Sequence, residues 1–169
     1  MDRQTKELIW NQFGASVDTL ENAINHCPDD IWIDDTEFHQ IWYMASHTLF
    51  WLDYYLSEDK DNFQPPKPFG MEEMDPAGVI PDPPYTKEQL LKYLEFGRGK
   101  ARTFILNMTD EQAVKKQEFR KGAIPLSEML LYVMRHIQHH AAQMNLLMRQ
   151  KADTAPGWVF RSKIDIEGK

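Results

Sequence analysis

Apolar positions recur at spacings of three and four through four long stretches of the chain, and no stretch of any length alternates apolar with polar residues. In the first stretch Leu8, Ile9, Phe13, Val17, Leu20 and Ile24 make one stripe. This predicts a helix from about Asp2 or Thr5 to Asn25, ended by Cys27-Pro28-Asp29-Asp30. A second helix is predicted from Asp35-Thr36, with Glu37 as a first-turn acid, to about Leu56. It carries two apolar arcs. Ile41, Trp42, Ala45, Leu49, Leu52 and Leu56 form one, and Met44, Trp51, Tyr43, Phe50 and Tyr54 lie roughly opposite. A helix apolar on two sides is enclosed by neighbouring helices, by a covering loop or by a second subunit.

A third helix is predicted from Thr86, an N-cap with Gln89 at the capping-box position, to about Met108. Gly97 and Gly99 either weaken its middle or permit close packing. Thr109-Asp110-Glu111-Gln112 then starts a short turn or brief helix, and Phe119-Arg120-Lys121-Gly122 reads as a loop. The last helix opens at Ile124-Pro125, with proline in the tolerated first turn, and runs to about Lys151. Ala155-Pro156-Gly157 breaks the chain, and Trp158-Val159-Phe160 is expected to tuck onto the helices as an apolar tail.

Between the second and third helices, residues 57–85 hold seven prolines, Pro65, Pro66, Pro68, Pro76, Pro81, Pro83 and Pro84. Proline removes a donor and fixes φ, so no long helix forms there. The segment is either a plain crossover or a cover over a cleft, anchored by Phe63, Phe69, Met71, Met74, Val79 and Ile80. The pattern as a whole predicts an all-α four-helix bundle with a long Pro-rich crossover between helices 2 and 3, one domain over residues 1–169.

Composition narrows the function. The net charge is −7, and a nucleic-acid binder would need a clustered basic face. Arg98, Lys100 and Arg102, and Lys115, Lys116, Arg120 and Lys121, sit among acids and apolar residues and read as solvated helix faces or ends. No nucleic-acid partner is expected. Cys27 is the one cysteine, so no intrachain disulfide can form. That fits a reducing cytoplasm, with the thiol buried rather than nucleophilic. No run is apolar enough for a signal peptide or a membrane span, and no membrane partner is expected.

Six histidines are present, and their placement is informative. At about 100° per residue, His140 lies about 40° from His136 on the same helix face, with Met129, Tyr132, Val133, Gln143 and Leu147 in that sector. The charged Glu128, Arg135 and Arg149 fall outside it. Two inward imidazoles side by side each need a partner for a polar edge, and both cannot comfortably become cationic. A divalent transition metal resolves this, since imidazole suits Zn, Ni, Cu and Fe. Chance spacing of two core histidines is the competing explanation. Two ligands do not make a site, and His47, within the second apolar arc of helix 2, is the best third. It fits equally a core histidine bonded to a tyrosine or a carbonyl. Gln143 can orient a ligand, and Tyr132, Trp51, Tyr43 and Tyr54 are pocket-lining candidates. His139 is assigned to the rim, His39 to a polar helix face with Ser46 and Asp53, and His26 to a helix end.

Ala45-Ser46-His47 with Leu49-Phe50-Trp51-Leu52-Asp53, and His136-Ile137-Gln138-His139-His140-Ala141-Ala142-Gln143, resemble the DinB/YfiT-like superfamily of metalloenzymes. The Pro-rich crossover, the Thr-Lys-Glu-Gln-Leu helix start and the Pro-Gly-Trp near the end match as well. The resemblance implies a four-helix bundle, often a homodimer. It implies a metal held by one histidine of the second helix and two of the last, here His47, His136 and His140. Family members commonly carry Arg-Gly after the final ligand, where this chain has Ala141-Ala142, so no role passes to an arginine here.

Three histidines with an open position suit catalysis rather than a structural site. The first expectation is therefore a metal-dependent enzyme, a transferase or hydrolase. The resemblance favours thiol-dependent S-transfer to a small electrophile. The expected cofactors are Zn or Ni, then Fe or Mn, with a low-molecular-weight thiol. The second expectation is a noncatalytic or stress-related module, which a protein side chain filling the fourth position would mark.

Overall fold

A computed structural model describes residues 1–34, 40–119 and 122–169. Helix α1 spans Arg3–His26, and Asp2 caps it by accepting from the Thr5 amide at 2.7 Å. A single turn, α2, follows at Asp29–Trp32. Helix α3 spans Ile41–Tyr55 and α4 spans Lys87–Asn107. The predicted capping box forms at Thr86 and Gln89, each side chain accepting from the other's backbone N–H. A short α5, Asp110–Val114, carries a second capping box at Thr109 and Gln112, and α6 spans Leu126–Ala152. The predicted first turn of the second helix, at residues 35–39, lies outside the described residues. With Gln40 in an extended N-cap conformation, α3 itself begins at Ile41.

Each of α1 and α3 packs against both α4 and α6, so α1 and α3 occupy one diagonal of a four-helix bundle. The all-α expectation holds, with one small exception. Strands Lys116–Phe119 (β1) and Gly122–Pro125 (β2) pair antiparallel, Gln117 opposite Ile124, ahead of α6. Four-residue strands show too little alternation to register as a pattern, and of the predicted loop at Phe119–Gly122 residues 120 and 121 lie outside the described residues. Pro125 consequently ends β2 and stands at the N-cap of α6 rather than in its first turn.

The core is Trp10, Phe13, Val17 and Leu20 from α1, Trp42, Leu49 and Leu52 from α3, Leu90, Tyr93 and Leu94 from α4, and Met129, Val133, Ile137 and Met144 from α6. Each such side chain contributes about 1.5–3 kcal/mol when fully buried. Gly97 allows α4 to approach α3 closely, since a Cβ there would lie 2.8 Å from Leu52 Cδ2.

Two sequence expectations fail in the packing. Trp158 and Phe160 are both 78% exposed and do not tuck onto the bundle. The tail instead docks a few residues later. The Ser162 amide donates to the Asn11 carbonyl at 3.0 Å, Trp10 Nε1 donates to the Ile164 carbonyl at 2.9 Å, and Ile166 is buried. Arg98 and Lys100 are not a solvated face either. Arg98 is buried against Asp18, with Glu21 at 2.8 Å and Glu95 at 3.0 Å. Lys100 Nζ meets buried Asp53 at 2.5 Å, and Tyr93 donates to the other Asp53 oxygen at 3.0 Å. The helix face assigned to Ser46 and Asp53 is therefore interior. Charges paired across helices escape a reading made one helix at a time.

Candidate metal centre

Helices α3 and α6 are neighbours in the bundle, and the interior stripe of each carries histidine where they meet. His47 comes from α3, and His136 and His140 come from successive turns of α6. One ring nitrogen from each lies within 4.8 Å of the other two. His136 Nε2 stands 3.3 Å from His47 Nε2 and 3.1 Å from His140 Nε2. All three rings are half-buried. Among the described residues no fourth His, Cys, Asp or Glu joins the group.

The opposite edges of two rings are held. His47 Nδ1 lies 2.7 Å from Glu73 Oε2, and Trp51 Nε1 donates to the same oxygen at 3.1 Å. His140 Nδ1 lies 2.7 Å from Gln143 Oε1. Both partners are acceptor oxygens, so each Nδ1 donates its proton. In the neutral ring that leaves Nε2 as a bare lone pair. The Nε2 atoms of His47 and His140 thus both face His136 Nε2, which in the neutral ring carries at most one proton to share between them.

Glu73 sits in a single 3₁₀ turn, Glu72–Met74, within the Pro-rich segment. Burial pushes its carboxyl upward, but the His47 hydrogen bond and charge, with Tyr43 and Trp51, outweigh this and hold it below the ordinary glutamate range. It is therefore an anion at neutral pH. Burial, with Glu73 beside it, pushes the Tyr43 phenol up to about 12, so that group stays protonated. The Pro-rich segment is thus a cover as well as a crossover. Its anchors are Phe63 and Phe69, both buried, with Tyr85 and Glu73, whereas Met74, Val79 and Ile80 are exposed. Glu73 itself escaped the sequence reading. The one available signal was a pair of acids, Glu72-Glu73, between Met71 and Met74 in a proline-rich loop.

The site opens on both sides. A cleft of about 430 Å³ is lined by His47 and His136 together with Trp51, Tyr54, Tyr55, Lys60, Met74, Glu118 and Phe119. A second hollow of about 490 Å³ meets the other face of His136 along Tyr132, Arg135, Gln138, His139 and Ala142. Larger hollows, of about 610 and 700 Å³, lie beside α4 and α5 and touch none of the three histidines. Volume alone does not mark the chemistry.

The remaining assignments fall out plainly. Tyr132 stacks on His136, with ring centroids 6.3 Å apart and planes 12° from parallel. Trp51 lines the cleft, and Gln143 holds His140. His139 is exposed on the rim, 5.1 Å from the His140 ring. His26, in the last turn of α1, meets Thr154 Oγ1 at 2.5 Å. His39 lies outside the described residues. Burial pushes the Cys27 thiol up to about 11, so it stays protonated and is no nucleophile at neutral pH.

The bundle, its long crossover and a three-histidine cluster that could hold a metal ion are the features by which the chain is classed. The chain matches the DinB family model over residues 1–168 and belongs to the DinB family. No curated relative matches it. No helix among the described residues is long and apolar enough to cross a membrane.

Proposed function

We propose that His47, His136 and His140 hold one divalent transition metal through their Nε2 atoms. We further propose that the adjoining cleft serves an S-transfer reaction between a thiol and a small electrophile. The observation that carries the metal reading is the tautomer arrangement. Glu73 and Gln143 each accept a hydrogen bond from the Nδ1 of a histidine, which leaves its Nε2 to face a shared point. The donor spacing fits as well. With metal–nitrogen bonds of about 2.0–2.1 Å, tetrahedral or right-angled donors stand roughly 3.0–3.4 Å apart. The observed neighbours are 3.3 and 3.1 Å apart. Three neutral nitrogens favour Zn or Ni, with Fe or Mn next.

A metal bound there supplies Lewis-acid chemistry, lowering the pKa of a thiol or water at its open position. The chain's own residues do the rest. Glu73 and Gln143 fix the ring orientations. Trp51, Tyr54 and Phe119 give the cleft aromatic walls. Tyr43, protonated and against Glu73, keeps that carboxylate in place. The absence of a fourth protein ligand among the described residues favours catalysis over a closed structural site. A small-molecule substrate, a homodimeric state and a cytoplasmic setting complete the proposal.

Elemental analysis after growth with supplemented metal tests it. About one metal per wild-type chain and none in His136→Ala is expected. Equal, near-zero content in both would overturn the site. Assays of the metal-loaded protein with a panel of thiols and small electrophiles should show activity that a chelator removes. A metal-loaded protein inactive across the panel would favour a noncatalytic module.

A further inference from the structure

Within the cleft beside the three histidines, one cation stands without an acidic partner. Lys60 follows the end of α3 and is half-buried. Its ammonium lies 5.8 Å from the Tyr54 ring centroid and 3.5 Å from Gln117 Oε1. Neither neighbour carries a charge. Glu118 lines the same cleft but is exposed, and no carboxylate among the described residues comes within ion-pair distance of Lys60. Two other half-buried lysines have such a partner. Lys100 meets Asp53 at 2.5 Å, and Lys151 meets Asp34 at 2.6 Å.

Holding an ammonium partly out of water without a counter-charge costs free energy. Burial accordingly lowers the Lys60 pKa, and nothing beside it restores the value. The cleft walls point to what offsets that cost. Trp51, Tyr54, Tyr55 and Phe119 present aromatic rings around about 430 Å³, room for one small molecule. The tight ring-to-ring contacts among them make the walls rigid. Trp51 and Tyr55 lie 5.2 Å apart, and Tyr55 and Phe119 5.1 Å.

We propose that this cleft binds a small aromatic or apolar molecule bearing one anionic group, with the rings enclosing its body and Lys60 pairing its charge. The proposal rests on the reading of this cleft as the substrate side of the metal centre, and it assigns that substrate a chemical class. Lys60 is a specificity-determining residue in this account, distinct from the histidines and from the groups that orient them.

Two probes of equal shape separate charge from body. Naphthalene-2-sulfonate carries the anion and is a poor metal ligand, and methyl 2-naphthyl sulfone is its neutral counterpart. Binding is measured by calorimetry on the metal-loaded full chain. Wild type should prefer the sulfonate by about tenfold, the scale of one charge-assisted contact. Lys60→Gln should bind both probes equally, with sulfone affinity unchanged, and Lys60→Arg should keep the preference. Equal binding of the two probes by wild type, or a preference that survives Lys60→Gln, would overturn the proposal. His136→Ala separates this question from the metal reading. If that variant retains the preference, Lys60 recognition stands even where elemental analysis finds no metal. If it loses the preference while Lys60→Gln keeps it, the anion is read at the histidines and the Lys60 assignment fails.

Discussion

Two of the polar clusters inside this bundle are built on opposite terms. The first centres on Arg98 of α4. Its guanidinium meets Asp18, Glu21 and Glu95, and the second Asp18 oxygen accepts from the Lys163 amide at 2.7 Å. Every charge there finds an opposite charge or a donor. The second centres on His136, where ring nitrogens converge at 3.1 and 3.3 Å and the outward edges of His47 and His140 are held. The first cluster is complete by itself and ties α4, α1 and the tail together. The second brings three histidines of two helices together beside an open cleft and could hold a metal ion. A network of paired charges serves the fold, whereas a cluster of ring nitrogens facing a cleft is placed to serve a ligand.

Breaking each cluster should therefore give different signatures. The largest effect is expected from Asp18→Ala. It takes from the buried guanidinium its one fully buried carboxylate and removes the acceptor for the tail amide, and loss of one partner of a buried pair costs about 3–5 kcal/mol. Chemical denaturation should show that drop, while metal bound per folded chain stays unchanged. A change in metal stoichiometry at constant stability would contradict the separation of the two clusters.

His136→Ala should behave in the reverse way. Stability of the metal-free chain should move by less than about 1 kcal/mol, since the ring is half-buried. The wild type should gain about 2.7 kcal/mol at metal a hundredfold above its Kd, or about 5–10 °C in Tm for a chain of this size. The variant should gain none. A melt that rises equally in both proteins would mean that the metal binds elsewhere.

Smaller effects sharpen the same contrast. Glu73→Gln leaves a side chain of the same shape at His47 but removes the anionic acceptor, and should weaken metal binding about 10- to 100-fold. Gln143→Ala should act in the same direction at His140. Unchanged metal affinity in Glu73→Gln would reduce the Pro-rich segment to a linker. At the bottom of the scale, Trp158→Ser should alter stability by no more than about 0.5 kcal/mol, because that ring is 78% exposed.

How much of this could be read from the residues alone depends on how local the cause is. Thr86 with Gln89 announces a capping box within four residues of chain, and the box is present. His136 and His140 lie on the interior face of one helix, and periodicity finds them. His47 sits on another helix, and its convergence depends on α3 and α6 being neighbours, which no wheel contains. Resemblance supplied that link. Glu73 lies on a crossover with no repeating pattern, so nothing local marks it as the partner of His47. Arg98 and Asp18 were legible only as charges, since their mutual burial arises from packing residues far apart in the chain. The apolar Trp158 and Phe160 suggested docking, whereas Ile164 and Ile166 beyond them make the contact with the bundle.

The central claim concerns three imidazole nitrogens and one metal, and metal-edge X-ray absorption of the loaded protein tests it most directly. The account predicts imidazole scattering from three nitrogens at about 2.0–2.1 Å, with light-atom scattering from solvent in the open position, and loss of that signal in His136→Ala. A first shell of sulfur, or of oxygen without imidazole scattering, would contradict it.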